Sequence, residues 1–389
     1  MNCESMFHES YSRARDYKRR FLRDALEKEC RDLMRTVCDF QISDEDYENV
    51  VLPYWRKYNA KPEKFWFECY GSMTHEIDPR YIPLDLYFNE LIPYLNNMEF
   101  AWATTDKCYL DQRFLSVKTP ATVCRCMSGL YYDDSMKPIG EERAIKLCLV
   151  FEGKIIVKPS LYSHSSRKTF SLDPGMMDEE RMLAIFRKSG ANFIVQERVK
   201  QHKEMARLNP DTVNTIRVES LLTKEGVYIP STDLRVGAKG ESVVETGSGG
   251  YYCEIMEDNR LRDTAYRVDI ISRFDEKGFE TVDRVLMPSR DRMGGKYDET
   301  WRIPSMDQVR EKVRKLHHMI PHIRFVGWDF TVDENGDPVL FEFNAAPGAL
   351  VPQLITGKPM FGEMTDWVLD DFYLHRTLEK NHRQEYIFL

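Results

Sequence analysis

Three oxygen-bearing side chains, Asp329, Glu342 and Asn344, have the types and spacing to hold a hard divalent cation. They lie in the 22-residue stretch Gly327–Gly348, which reads as a β-hairpin turning on the two residues Asn335-Gly336. In that register residues whose numbers sum to 671 face each other, pairing Val332 with Val339, Phe330 with Phe341 and Trp328 with Phe343. One face is then an apolar ladder. On the other, Asp329 lies across from Glu342, and Asn344 sits two residues further along. Two carboxylates about 5 Å apart repel by roughly 3 kcal/mol at an effective dielectric of about 20. Such a pair is therefore expected to share a cation or a proton. An all-oxygen set without Cys or His suits Mg²⁺, or Mn²⁺, better than zinc. On this reading the change Glu342→Gln leaves the metal-free protein as stable as before, or slightly more so. The alternative is a solvent-facing hairpin with incidental acids.

Cations that suit phosphate lie upstream. Lys154-Ile-Ile-Val-Lys158-Pro-Ser160 reads as a strand that ends on a lysine and is stopped by proline. It runs into Leu161–Lys168, a loop of hydroxyls and cations that can donate to oxygen anions. Arg217, in Asn214-Thr-Ile-Arg217, and Arg235, in Asp233-Leu-Arg235-Val-Gly237, sit in strand-like settings, where an arginine needs an anion or an acid as partner. Gly247-Ser-Gly-Gly250 reads as a turn with exposed N–H groups, suited to wrapping substrate or to a simple connection.

The elements that must position these residues make a mixed chain. Residues 11 to about 37 have helical spacing, with a basic run from Arg13 to Arg23, and residues 43–95 continue as helix and loop. Period-two segments follow at Leu147–Phe151, Lys154–Lys158, Phe193–Val199, Thr215–Thr223, Gly226–Pro230 and Asp233–Gly237, with a helix over 178–189. Ser305 and Gln308 form a capping box for a helix carrying Val309, Val313, Leu316 and Ile320, and another amphipathic helix starts near Phe361. With 389 residues, 42% of them hydrophobic, the chain can bury a large core divided into two or three domains. A net charge of −8 with interspersed signs argues against nucleic acid as a partner. The N-terminal stretch has no apolar run of signal-peptide length, and the longest one, near Leu147–Val157, is broken by Glu152, Gly153 and Lys154. Nine cysteines follow no framework spacing, and Cys124-Arg-Cys126 looks like one face of a strand. A soluble, reduced, cytoplasmic protein is the expectation.

Taken in order, Asp106-Lys107, Ile156-Val-Lys158-Pro-Ser160, Val195-Gln-Glu-Arg-Val199, Asn214-Thr-Ile-Arg217, Leu234-Arg-Val-Gly237, Gly327-Trp-Asp329 and Phe341-Glu-Phe-Asn344 resemble an ATP-grasp enzyme. The match runs from about Asp106 to Gly362. Gln201-His202, Asn214–Arg217 and Gly327–Asp329 look most like the sugar-transfer-associated branch, found with polysaccharide biosynthesis.

The resemblance implies an α+β ATP-grasp fold in which two α+β subdomains clasp ATP. A helix-rich region at 1–105 would precede a small, lysine-bearing subdomain at 106–200 and a large subdomain with the metal site at 201–389. Lys107, Lys158 and Ser160 would meet phosphates, although the loop after Lys158 lacks the glycines many relatives carry there. Gln196 would face the adenine amino group, and the backbones of Glu197 and Val199 would hold the ring, with His202 in the same nucleotide-binding set. Asp329, Glu342 and Asn344 would hold Mg²⁺, and Arg217 and Arg235 would steady the transferred phosphoryl group or a substrate carboxylate. The implied activity is an ATP-dependent carboxylate–amine ligase working through an acyl phosphate. Its partners would be a small or sugar-linked carboxylate and an amine, and the sequence leaves a homo-oligomer open. A kinase on the same fold and a nucleotide-binding protein without turnover are the rival readings.

Overall fold

The computed structural model describes residues 24, 25, 28, 31, 32 and 39–382, apart from 162–168, 239–249 and 275–279. The basic run 13–23, most of the 11–37 helix, the polar loop after Leu161 and Gly247–Gly249 lie outside the described residues. The chain packs as two units. One holds the described residues of Met1–Asn96, Ile270–Met287 and Gly348–Leu389, and the other holds those of Asn97–Asp269 and Pro288–Pro347.

The first unit bears out a helix-rich N-terminal region. Its helix Lys64–Gly71 buries Phe65, Trp66, Phe67, Cys69 and Tyr70, an aromatic content too large for one face. The C-terminal helix Thr365–His382 presents acids to tyrosines: Tyr54 and Tyr58 donate to Asp366 and Asp370, each at 2.7 Å. Gln353 bonds both backbone groups of Ile82 at 2.8 and 3.0 Å, leaving that buried segment without an orphan. Among the described residues no helix is long and apolar enough to cross a membrane.

The second unit contains a six-stranded antiparallel sheet built from β1 (Thr122–Met127), β2 (Leu130–Tyr132), β3 (Pro138–Ile139), β4 (Ile155–Pro159), β5 (Phe170–Leu172) and β6 (Phe193–Glu197), in the order β3-β2-β1-β6-β4-β5. Phe193, Ile194 and Val195 are consecutive and all buried, as a strand covered on both faces requires. Helices α1 (Glu141–Leu149) and α2 (Glu179–Ser189) lay Ala144, Ile145, Cys148, Met182, Ile185 and Phe186 on its core. Cys124 and Cys126 point into that core, as their period-two spacing predicts. The segment Leu147–Phe151, in contrast, is the end of α1 and not a strand. Five residues are too few to separate the two periods, and Glu141 and Glu142 in the first turn favour the helix.

The larger sheet has seven strands: β7 (Thr215–Leu222), β8 (Val227–Val236), β9 (Tyr251–Glu254), β10 (Ala265–Phe274), β11 (Glu280–Ser289), β12 (Phe325–Val332) and β13 (Pro338–Asn344), in the order β11-β10-β9-β8-β7-β12-β13. The segments around 226–230 and 233–237, read as two strands, are one. Pro230 falls where the β7–β8 register slips, between the pairs Glu219↔Ser231 and Leu221↔Tyr228, so its missing N–H interrupts no ladder bond. After the short helix α3 (Lys203–Leu208), α4 (Met306–His317) packs Val309, Val313 and Leu316 under the sheet. The expected capping box does not form. Ser305 sits at φ 53°, and its hydroxyl donates to the Gly336 carbonyl at 2.7 Å instead of capping α4. Trp328 Nε1 donates to Ser220 Oγ, and the His317 ring bonds Ser220 Oγ and the Ile323 carbonyl, all within 2.9 Å. Burial brings the His317 imidazole down to about 4, so it is neutral, and this serine–histidine contact ties helix to sheet.

Candidate active site

The hairpin forms, but by a different route from the one its turn signal predicts. Asp333 N–H donates to the Asp337 carbonyl and Gly336 N–H to Asp333, which closes a three-residue loop with Gly336 at φ 89°. Asp333 Oδ1 also accepts the N–H groups of Asn335 and Asp337, each at 2.9 Å. The register therefore starts one residue off, with Val332 opposite Pro338 and Phe330 opposite Leu340. A bulge between Asp329 and Phe330 absorbs Phe341 and restores the expected pairs Asp329↔Glu342, Trp328↔Phe343 and Gly327↔Asn344. The predicted pairs Phe330–Phe341 and Val332–Val339 are thus replaced. Phe341, which sequence reasoning did not place in the site, leaves the apolar ladder and turns its ring toward Lys158, whose Nζ lies 5.9 Å from the ring centre.

Cross-strand pairing carries one row of charges over the sheet: Glu254 on β9, Asp233 on β8, Arg217 on β7, Asp329 on β12 and Glu342 on β13. The two facing carboxylates are not left to repel. Arg217 grips Asp329 through Nε and Nη2 at 2.7 and 2.8 Å, and Asn344 Nδ2 donates to Asp329 Oδ2 at 2.9 Å. Burial raises the Asp329 carboxyl, while the Arg217 guanidinium and its hydrogen bonds act the other way and favour the ionised form. Lys107, N-terminal to the small sheet, pairs with Glu342 at 2.7 Å. Burial works against ionising Glu342, but Lys107 and Lys158 hold its carboxyl at about 2. The charge imbalance that pointed to a metal is therefore met by the chain's own cations. Arg235 Nε bonds Asp233 Oδ1 at 3.0 Å, with its guanidinium over the Tyr252 ring.

Gly327 is the residue that lets Arg217 lie flat. A methyl group there would meet Arg217 Nη1 at 3.0 Å and Pro347 Cβ at 2.8 Å. Gly327→Ala is accordingly expected to cost about 1–3 kcal/mol and to pull Arg217 off Asp329. Chemical denaturation of the purified variant reads this directly, and an unchanged midpoint would show that the close approach does not matter.

Lys158 is the last residue but one of β4, which runs on through Pro159, and is half-buried. Among the described residues it has no ion-pair partner, and the acids that act on it are Glu342 and Asp329. Burial and the neighbouring Lys107 ammonium lower its amine to about 8. Lys154, by contrast, is half exposed and paired with Asp173 at 2.7 Å. Ser160 is fully buried with its hydroxyl unpartnered, and its carbonyl accepts from Lys107 N–H at 3.2 Å. Gln196 donates to the Pro120 carbonyl at 3.4 Å and leaves its buried Oε1 without a partner, an acceptor suited to an amino group. Glu197 ties β6 to the strand beside it, accepting from Ala121 N–H at 3.0 Å and donating its own N–H to Ala121 at 2.8 Å. His202 caps α3, its Nδ1 accepting from Glu204 N–H at 3.2 Å. A cleft of about 620 Å³ takes in Glu197 and Val199, with Lys118, Lys154, Asp333 and Val339, but not Lys158, Asp329 or Glu342.

Asp329, Glu342 and Asn344 lie together, and no group of three or more His, Cys, Asp or Glu suited to a metal occurs among the described residues. The donors remaining for a cation are hard oxygens. Asn344 turns its nitrogen to Asp329, which frees its carbonyl oxygen, and Glu342 bonds Lys107 through Oε2. This set fits Mg²⁺ if phosphates draw Lys107 away.

Residues 298–367, which hold all three of these side chains, match the family model described as sugar-transfer associated ATP-grasp. The likeness is to the ATP-grasp family, over that segment. The ATP-grasp match leaves out Lys107, Lys158, Gln196 and Arg217. No curated protein matches the sequence. Among solved structures, similarity extends to the VanG D-Ala:D-Ser ligase from Enterococcus faecalis, at 14% identity over 69% of this chain and 61% of that one, with a TM-score of 0.41. It extends also to the D-alanyl-alanine synthetase A from Vibrio cholerae O1 biovar eltor str. N16961, at 11% identity over 70% and 65%, with a TM-score of 0.41. The ATP-grasp ligase PsnB, complexed with minimal precursor, follows at 12% identity over 71% and 63%, with a TM-score of 0.36. The match thus spans less than two thirds of each of these proteins. Likenesses this distant carry no inference about activity.

Proposed function

We propose that this chain is an ATP-dependent ligase that joins a carboxylate to an amine. The observation that carries the reading is the meeting of Lys107 and Lys158 from the small-sheet side with Arg217, Asp329, Glu342 and Asn344 of the large sheet. Lys158 in particular is a half-buried cation with no ion-pair partner among the described residues; Glu342 and Asp329, the acids that act on it most, already have other partners, and a phosphate would supply the missing anion.

In this reading a substrate carboxylate oxygen attacks the γ-phosphorus of ATP. The bond to the β–γ bridging oxygen breaks, giving an acyl phosphate and ADP. The amine nitrogen then attacks the acyl carbon, inorganic phosphate leaves, and the nitrogen loses a proton as the amide forms. Lys107, Lys158 and Ser160 bind phosphate oxygens. Arg217 and Arg235 orient the phosphoryl group or the carboxylate. Gln196 accepts the adenine amino group, and the Glu197–Val199 backbone and His202 line the nucleotide end. Asp329, Glu342 and Asn344 would hold Mg²⁺, or Mn²⁺, which would supply charge neutralisation at the phosphates. The family description favours a carboxylate carried on a sugar, in polysaccharide or glycoconjugate assembly.

A screen of uronic acids and amino acids for ADP release, with products read by mass spectrometry, tests the assignment. ADP release should need Mg²⁺ or Mn²⁺ together with a carboxylate, and hydroxylamine should trap a hydroxamate. A stable phosphorylated hydroxyl product would make the protein a kinase, and bound but unconsumed ATP would make it a binding protein.

A further inference from the structure

In the row of acids over β7, β8, β9, β12 and β13, each described acid except one has its own cation. Asp329 has Arg217, Glu342 has Lys107, Asp233 has Arg235, and Glu254 has Arg262. Glu219, which faces the same side between Ser231 on β8 and Gly327 on β12, has none. It is fully buried, accepts the Ser231 hydroxyl on Oε2 at 2.6 Å, and leaves Oε1 buried without a partner. On the neighbouring strand Asp233, 1% exposed, leaves Oδ2 buried and unpartnered in the same way. Arg217 and Arg235 are the cations that act on Glu219, but both are committed to other acids. Lys158, which also has no ion-pair partner among the described residues, is acted on chiefly by Glu342 and Asp329 among the acids.

We infer that Glu219 and Asp233 form a subsite for one primary ammonium group. Two orphaned carboxylate oxygens beside an acid with no ion pair of its own suit a monocation with N–H donors. A bare alkali ion could coordinate the same two oxygens, and the potassium arm of the test below distinguishes it. Burial and the adjoining Asp233 carboxylate raise the Glu219 carboxyl to about 7, the expected mark of an acid held without its counter-ion. Identification of the ammonium as the incoming amine rests on the ligase reading; the subsite itself does not. Lys158 on β4 and Glu219 on β7, both without an ion-pair partner among the described residues, then correspond to the two things a ligase must hold, a phosphate and an amine.

The test uses the whole chain without nucleotide. Melting is measured in methylammonium, tetramethylammonium and potassium chlorides at equal ionic strength, for wild type, Glu219→Gln and Asp233→Asn. Methylammonium should raise the wild-type melting temperature by about 1–2 °C over the other two salts. Both variants, if folded, should lose that increment. Equal melting of the wild type in all three salts, a potassium effect as large as that of methylammonium, or retention of the increment in Glu219→Gln would each overturn the subsite. Hydroxylamine is uncharged at neutral pH, so hydroxamate trapping does not depend on an ammonium subsite. A wild type that yields hydroxamate but ignores methylammonium refutes this inference and leaves the ligase standing. One that binds methylammonium but yields no hydroxamate does the reverse.

Discussion

Replacing Lys158 by alanine should raise the melting temperature of the nucleotide-free protein at neutral pH and cut turnover by about 100-fold or more. The two effects have one cause. Burial lowers the Lys158 amine from its ordinary 10.5 to about 8, so the folded protein holds the ammonium less willingly than the unfolded chain does. Below about 8 both states are protonated and the folded state bears the full cost, which at 1.36 kcal/mol per pH unit is at most about 3 kcal/mol and less for a half-buried side chain. Between about 8 and 10.5 the unfolded chain binds more protons, so wild-type stability rises with pH through that window relative to the alanine variant. Their difference in melting temperature should shrink accordingly as the pH approaches 10.5. Lys154→Ala removes only a half-exposed pair with Asp173 and should change stability and turnover little. If both lysine variants turn over like the wild type, Lys158 does not touch phosphate. ATP binding should also raise the Lys158 amine back toward its ordinary value, so nucleotide binding near pH 8 should take up protons. Calorimetry in buffers of different ionisation enthalpy measures that uptake.

Much of this site was legible in the residues, though one success was partly accidental. Asp329 and Glu342 face each other as the Asn335-Gly336 turn predicts, but only because two one-residue shifts cancel. Asp333 captures two N–H groups and lengthens the loop, and the bulge at Phe341 moves the register back. The first shift had a signal, since an aspartate two residues before Asn-Gly is a strong local acceptor. The bulge had none, because Phe341 continues the apolar alternation of its strand. Local patterns found β4, β6, β7 and α4, whose buried faces repeat at strand or helix spacing. They could not find which cation answers which acid. Arg217 meets Asp329 across 112 residues of sequence, a contact made by strand order, which periodicity does not encode. Glu219 was passed over for the same reason. In Thr-Ile-Arg217-Val-Glu219 two opposite charges alternate with apolar residues, a sign that one face of β7 is polar. Only the neighbouring strands show that Arg217 is already taken.

Glu342→Gln should move stability the other way from Lys158→Ala. Two isolated facing carboxylates would gain from losing a charge, and the sequence alone led to that expectation. With Lys107 at 2.7 Å and Lys158 nearby, the change instead leaves two ammonium groups facing a neutral amide. Glu342 is held at about 2 against an ordinary 4.5, so its carboxylate contributes stability above pH 4.5, and that contribution is lost as pH falls through 2. At neutral pH the contribution is at most about 3 kcal/mol, and the glutamine variant should melt measurably lower without ligand. Because the wild-type advantage depends on ionised Glu342, it should narrow below pH 4.5. ATP alone should stabilise the variant well, since its phosphates replace the lost anion beside Lys107 and Lys158. The further rise that Mg²⁺ adds to ATP in the wild type should be much smaller in the variant, and turnover should collapse, because a charged oxygen donor is gone. A four-way melting comparison, wild type and variant with ATP and with Mg–ATP, separates these effects. If the variant keeps the full Mg²⁺-specific increment, Glu342 is only the partner of Lys107 and the metal is held elsewhere.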